Sequence, residues 1–318
     1  MSAPARVELE RVACPLGCRA GDDLVLVGRD RLHDLPGEFR VVRCRGCGLL
    51  RTDPRPTLDT IDFYYPADYH PYLSTRVGAS GAPVPLPRRG PLRRLIGRVL
   101  RPVNHELPSC APGRMLEIGC GSGAFLHEMA GLGWRVHGLE PSAEAGAAAA
   151  ALGYPVHVGP LETAPDPEQP YDLIVGWMVL EHLHEPIAAL EKLGRWSVPG
   201  AWLVASVPDA GALEFRLFGP TWYALHLPGH LFHYTSRTIG RVLERGGWRL
   251  ERVLWHDNPN NLLLSARYRC LDRGWTVPAR LLRDVADNRR LVRTRAVLGK
   301  LLGTLRASGR MTIWARRI

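Results

Sequence analysis

Met115-Leu-Glu-Ile-Gly-Cys-Gly-Ser-Gly-Ala-Phe-Leu126 decides how this chain is read. Met115, Leu116 and Ile118 give the short apolar run of a buried strand. Glycines at 119, 121 and 123 interrupt it, and a helix pattern begins at about Ser122. A strand running through a glycine turn into a helix lets a ligand approach the backbone closely. The helix N-terminus then presents free N–H groups to its acceptors. Gly119, Gly121 and Ala124 also satisfy the dinucleotide pattern G-x-G-x-x-G/A, so the turn alone leaves several nucleotide-like cofactors open.

Outward from that turn, strand and helix patterns alternate. Strands are expected at 114–118, 135–139, 155–158, 172–176, 202–206, 249–255 and 310–315. Helices are expected at 122–132, 142–151, 185–196 and 236–245, the last capped by Thr235 or Ser236 and stopped by Gly246. Strands separated by helices imply an α/β fold, with a mostly parallel sheet covered on both faces. A basic helical insertion at about 256–309 breaks the order, with an apolar stripe at Leu291, Leu298, Leu302 and Leu305.

Two acids stand at strand ends near the turn. Glu117 lies two residues before Gly119, and Glu140 closes the second strand, where a carboxylate can accept hydrogen bonds from ribose hydroxyls. The hydride-transfer constellation of a dehydrogenase is not found.

With Glu117, the three glycines and Glu140, the run Asp172-Leu-Ile and the later Val179-Leu-Glu-His-Leu183 make 111–255 resemble the class I S-adenosylmethionine-dependent methyltransferases. Gly309-Arg-Met-Thr-Ile-Trp-Ala315 supplies a closing strand. The resemblance implies a seven-stranded Rossmann-like sheet with an antiparallel last strand. It also implies that Glu117, Gly119, Cys120, Gly121 and Gly123 surround the methionine and sugar of S-adenosyl-L-methionine. Glu140 would hold the ribose, Leu161 would flank the adenine, and Trp177 and Met178 would line the methionine side.

The first fifty residues read as a separate unit, a small N-terminal zinc ribbon. Cys14 and Cys18 precede Cys44 and Cys47, with short alternating runs at 24–27 and 39–42 between the pairs. Four thiolates in two close pairs suit a tetrahedral structural Zn²⁺. The first pair is C-x3-C rather than the commoner C-x2-C. A Tyr/Pro-rich connector and linker then occupies 51–110. The ribbon, Pro54-Arg-Pro56 and Tyr64-Tyr-Pro-Ala-Asp-Tyr69 resemble the lead-in of ribbon-bearing sugar and natural-product methyltransferases. That resemblance implies that ribbon and connector lie over the substrate cleft of the 111–318 domain.

Methyl transfer from a sulfonium needs an aligned acceptor and usually a base for its proton. Histidines gather in two segments that should open at the carboxyl ends of strands. One is Glu181-His182-Leu-His184-Glu185. The other runs Trp222-Tyr-Ala-Leu-His226-Leu-Pro-Gly-His230-Leu-Phe-His233. His226 and His230 are the preferred base candidates, with His182 and Tyr223 beside them.

Of 318 residues 46% are hydrophobic and 23% charged, the balance of a globular chain. No apolar run approaches the ~20 residues of a membrane span. Met1 to Pro15 lacks the apolar core of a secretory signal, so seven cysteines predict a reducing cytoplasm without disulfides. Charge is uneven. Residues 267–318 hold thirteen Arg and one Lys against three Asp, a net +11 in a chain of net +10. That segment fits an anionic partner. The expected acceptor is a small molecule, such as a sugar, glycan precursor or natural-product intermediate, phosphorylated or nucleotide-linked in one version. An anionic membrane face is a further possible contact. The competing reading is an RNA or other nucleic-acid methyltransferase, or a nucleic-acid-binding protein, gripping phosphates with ribbon and tail; it is disfavoured because no repeated aromatic-basic stacking pattern accompanies the charge.

Overall fold

The computed structural model describes residues 4–66, 106–257, 259–288 and 291–318. Residues 67–105 of the expected connector and linker, with Tyr69 of the Tyr-rich lead-in, lie outside them.

The N-terminal unit contains β1 (Leu9–Glu10), β2 (Asp22–Gly28), β3 (Phe39–Cys44), β4 (Leu50–Thr52) and β5 (Arg55–Pro56). β2 and β3 form the expected hairpin, and β4 continues it antiparallel. Arg51, almost fully buried, donates to both oxygens of Asp22 at 2.8 and 2.6 Å, tying β4 to the start of β2.

The larger unit runs β6 (Arg114–Ile118), α1 (Ala124–Gly131), β7 (Arg135–Glu140), α2 (Ala143–Ala150), β8 (Val156–Val158), β9 (Tyr171–Trp177), α3 (Pro186–Arg195) and β10 (Ser197–Pro208). There follow α4 (Leu213–Phe218), β11 (Phe232–His233), α5 (Ser236–Arg245) and β12 (Trp248–Trp255). The chain closes with α6 (Asn260–Asp272), α7 (Thr276–Asp287), α8 (Val292–Thr304) and β13 (Arg310–Arg317). Seven strands make one sheet in the order β12-β13-β10-β9-β6-β7-β8. β13 is antiparallel to both of its neighbours, as expected.

The alternation of strand side chains explains the layers. Met115, Leu173, Val175 and Val204 pack with Leu126, Met129 and Ala149 from α1 and α2. Their neighbours Leu116, Ile174 and Leu203 point the other way, onto Leu190, Leu193, Ile239 and Val242 from α3 and α5. Each such side chain stabilises the fold by ~1.5–3 kcal/mol on burial, so both faces are fixed by pattern. α5 also starts where its sequence says. Thr235 accepts from the backbone N of Thr238 at 3.1 Å while Thr238 accepts from that of Thr235 at 2.9 Å, a reciprocal cap.

The insertion holds the three helices α6, α7 and α8. Its exposed apolar stripe differs from the expected one. Val297, Leu298, Leu301 and Leu305 face outward, whereas Leu291 and Leu302 are half-buried.

A buried acid in α4 gives a test of pH dependence. Glu214 is 1% exposed, and burial drives its carboxyl up to about 7 against hydrogen bonds from Trp222 and Gly309 that favour the anion. A raised folded value means that its stabilising contribution is complete below the unfolded value of 4.5 and is lost as pH rises to about 7. Glu214→Gln should therefore raise the melting temperature at pH 8, by the equivalent of up to ~3 kcal/mol, and change little at pH 5. Equal melting curves for the two proteins at pH 8 would refute this.

Candidate active site

β6 is the point where the sheet order reverses, with β7 on one side and β9 on the other, and open α/β sheets bind ligands outside the strand ends there. The glycine turn leaves β6 at this point. Gly119 has φ +69°, and a Cβ on it would lie 2.8 Å from Val179 Cγ2. Gly123 has φ +83°, and its Cβ would meet Ala149 at 3.0 Å. The turn is thus held in a conformation closed to larger residues. Cys120 is buried inside it, and burial pushes its thiol up, so it sits there as a neutral group.

Glu140 braces the turn from the end of β7. One carboxyl oxygen accepts from Gly121 N at 2.7 Å and the other from Ser142 N at 2.9 Å. Each oxygen keeps a second lone pair, as a ribose contact requires. Glu117 is 3% exposed and its Oε2 has no partner among the described residues. Burial, and then the charge of Glu140, hold its carboxyl well above the usual range. An orphaned acid oxygen, a braced glycine turn and a carboxylate with spare lone pairs fit the sulfonium cofactor that the turn implies.

The remaining expected cofactor residues gather around them. Trp177 ends β9 with its ring edge-on to Phe125 of α1, centroids 5.3 Å apart. Met178 follows at φ +60°, its N–H donating to Ser206 O at 2.9 Å. Leu161 is buried in the turn after β8, which Gly159 N ties to Glu140 O at 2.9 Å.

Beyond the cofactor turn the two histidine segments meet. The rings of His182 and His230 lie 4.7 Å apart, and those of His230 and His226 4.8 Å apart. Tyr223 stands edge-on to His226 at 5.4 Å. Burial drives His182 down to about 4 and His226 and His233 to about 3, so all three are neutral bases at pH 7. His184 turns away instead, Nε2 against Pro56 O at 3.1 Å.

Three partners of this cluster were not among the expected site residues. Tyr65 places its hydroxyl 2.7 Å from Nδ1 of His182. Thr52 donates to His230 O at 2.8 Å and lies 3.2 Å from Nε2 of His233. Glu181 is wholly buried beside His230. Tyr65 at least stands in a Tyr-rich segment and Glu181 next to a histidine; nothing marks Thr52.

Thr52 reaches the cluster because β11 pairs antiparallel with β4, so the histidine loop becomes the fourth strand of the N-terminal sheet. Arg55 adds a second tie, donating to His184 O at 2.7 Å and to Glu10 at 2.7 Å.

Cys14, Cys18, Cys44 and Cys47 converge, with one sulfur of each within 4.8 Å of the others and Cys14 Sγ 3.5 Å from Cys47 Sγ. Burial raises the Cys44 thiol, but N–H groups of Cys47 and Gly46 outweigh it and bring it down to about 7. Four soft donors at that spacing fit Zn²⁺.

A family model described as a methyltransferase domain matches residues 90–253, just over half of the chain. A "Probable S-adenosylmethionine-dependent methyltransferase" of Mycolicibacterium smegmatis is 29% identical over 182 residues, 56% of this chain and 67% of that protein. A ubiquinone biosynthesis O-methyltransferase of Paraburkholderia phytofirmans is 29% identical over 36% of this chain, which spans about half (53%) of that protein's length. Among solved structures, an S-adenosylmethionine-dependent methyltransferase of Mesorhizobium loti is 18% identical, with a TM-score of 0.45 over 72% of this chain and 99% of its own. With the glycine turn, its acids and the seven-stranded order in place, the family match settles the matter: the chain belongs to the class I S-adenosylmethionine-dependent methyltransferases.

Proposed function

We propose that this methyltransferase acts on a small-molecule acceptor, a sugar, glycan precursor or natural-product intermediate, and that the histidine cluster removes the acceptor's proton. The observation that carries the reading is the meeting of His182, Tyr223, His226 and His230 beyond the cofactor turn, all half-buried or buried, with the three imidazoles held neutral by burial. Neutral imidazoles can take a proton at pH 7. When bound, S-adenosylmethionine supplies the electrophilic methyl group. Glu140 and the glycine turn orient it, and the cluster faces the acceptor. Cys14, Cys18, Cys44 and Cys47 hold a structural Zn²⁺ in this reading.

Labelled S-adenosylmethionine incubated with nucleotide sugars, phenols and RNA tests it. Label in a nucleotide sugar or phenol supports the proposal; label in RNA alone defeats it. Relatives named for ubiquinone biosynthesis make a quinol precursor a sensible member of the phenol set.

The insertion adds a membrane contact to this reading. Val277, Leu281 and Val285 recur along exposed α7 with Arg280 and Arg283 between them, within the +11 segment. Apolar side chains among arginines suit an anionic leaflet. No described helix is long and apolar enough to cross a bilayer. Liposomes containing anionic lipid should retain the protein at low salt. Leu281→Glu should weaken that retention severalfold, and equal retention on neutral vesicles would speak against the contact.

A further inference from the structure

Beside the histidine loop lies a carboxyl group that packing does not require. Glu181, in the turn between β9 and α3, is 0% exposed, and neither carboxyl oxygen has a hydrogen-bond partner among the described residues. An unpartnered buried polar group costs ~1–3 kcal/mol or more, so its retention calls for a role. Its Oε1 lies 3.9 Å from Nε2 of His230. His230 is oriented for that approach. Nδ1 donates to Ala224 O at 3.0 Å, which leaves Nε2 as the bare nitrogen. A 3.9 Å gap is too long for a hydrogen bond and short for a charge pair. Nε2 therefore keeps its lone pair, yet a proton arriving there would meet a counter-charge.

We propose that Glu181 is the positioning residue of a buried Glu181–His230 pair, in which His230 accepts the acceptor's proton and the Glu181 carboxylate balances the charge that the imidazole gains. The proposal rests on the methyltransferase reading above. The step balances. The acceptor's X–H bond breaks with its proton moving to Nε2, its electron pair forms the X–CH3 bond, and the S–CH3 electrons return to sulfur as S-adenosylhomocysteine. The imidazolium then releases its proton to solvent.

Other groups bear on the pair from several elements. Arg310 of β13 favours the Glu181 anion, and Tyr234 packs close to it. His182, His226 and His233 surround His230, and each opposes a second positive charge there. Burial dominates, driving the Glu181 carboxyl up to about 8 and His230 down. The competent form, carboxylate with neutral imidazole, accordingly fills as pH rises through about 8.

Glu181→Gln keeps the shape and removes the charge. On an acceptor that the wild type methylates, it should lower kcat ~100-fold with KM and S-adenosylhomocysteine affinity unchanged, and the rise in rate near pH 8 should vanish. Glu181→Asp should recover part of the rate and the pH step. Infrared difference spectra of the wild type need no acceptor. They should show a protonated carboxyl band at pH 6 that is lost at pH 9, is absent from Glu181→Gln, and moves when His230 is changed to Gln. An unchanged rate and pH profile in Glu181→Gln, or no such band in the wild type, overturns the proposal. So does a second stoichiometric divalent ion that Glu181→Gln loses, because the pair would then be ligands. Failure of the wild type to bind S-adenosylhomocysteine would strike the methyltransferase reading instead.

Discussion

Glu140→Ala should weaken S-adenosylhomocysteine binding at least ~100-fold by calorimetry. The carboxylate satisfies two backbone N–H groups, of Gly121 and Ser142, and both lose their acceptor on truncation. Each unsatisfied buried donor costs ~1–3 kcal/mol, and a tenfold loss of affinity corresponds to ~1.4 kcal/mol. Losing the ribose contact would add to this. Glu140→Gln should fall between, because its amide nitrogen meets one of the two N–H groups donor to donor. The turn itself is the weak point. Gly119 and Gly123 hold left-handed conformations, and Glu140 acts there beside the hydrogen bonds of Gly119 and Cys120 to Leu139 O that hold the turn against β7. Unchanged affinity in Glu140→Ala would place the ribose elsewhere.

In the reading that gives the four cysteines a structural Zn²⁺, removing that ion should abolish methyl transfer while sparing the cofactor site. Structural zinc sites of this kind contribute ~10–16 kcal/mol of apparent binding free energy to folding, more than a unit of this size recovers from its core. Cys44 ends β3 and Cys47 lies three residues before β4, whose partner is β11 of the histidine loop. Arg241 of α5 also donates to Cys47 O at 3.0 Å. Chelation, or Cys44→Ala, should thus release Thr52 from His230 and scatter the cluster. Among the described residues β6, β7 and their glycine turn share no strand pairing with the ribbon. Cofactor affinity should consequently fall less than tenfold while turnover drops below detection. Full turnover in the chelated protein would show that the loop holds its own shape.

The α/β architecture was legible because its signals are local. The apolar runs at 114–118 and 172–176 and the glycine turn need no distant partner to be recognised, and the observed strands match the expected ones within a few residues. The convergence of the four cysteines was legible for the same reason, since they come as two short-spaced pairs. The union of the two histidine segments was foreseeable only as a shared strand-end location. Thr52 was invisible, because a buried threonine on a three-residue strand gains its meaning from β11, some 180 residues later. The orphaned state of Glu181 was equally hidden, since a missing partner leaves no mark in sequence.

The pairing of β4 with β11 also limits how this enzyme can be cut and recombined. Its N-terminal unit resembles a detachable module, yet the module's sheet is completed by a strand borrowed from the catalytic half. A chimera that joins the ribbon of one relative to the catalytic half of another must therefore match an inter-strand register and the Thr52 hydroxyl, besides a linker length. Compatible exchanges should carry the segment around 222–235 together with the ribbon, so that in the proposed reading acceptor choice travels with a discontinuous pair of segments.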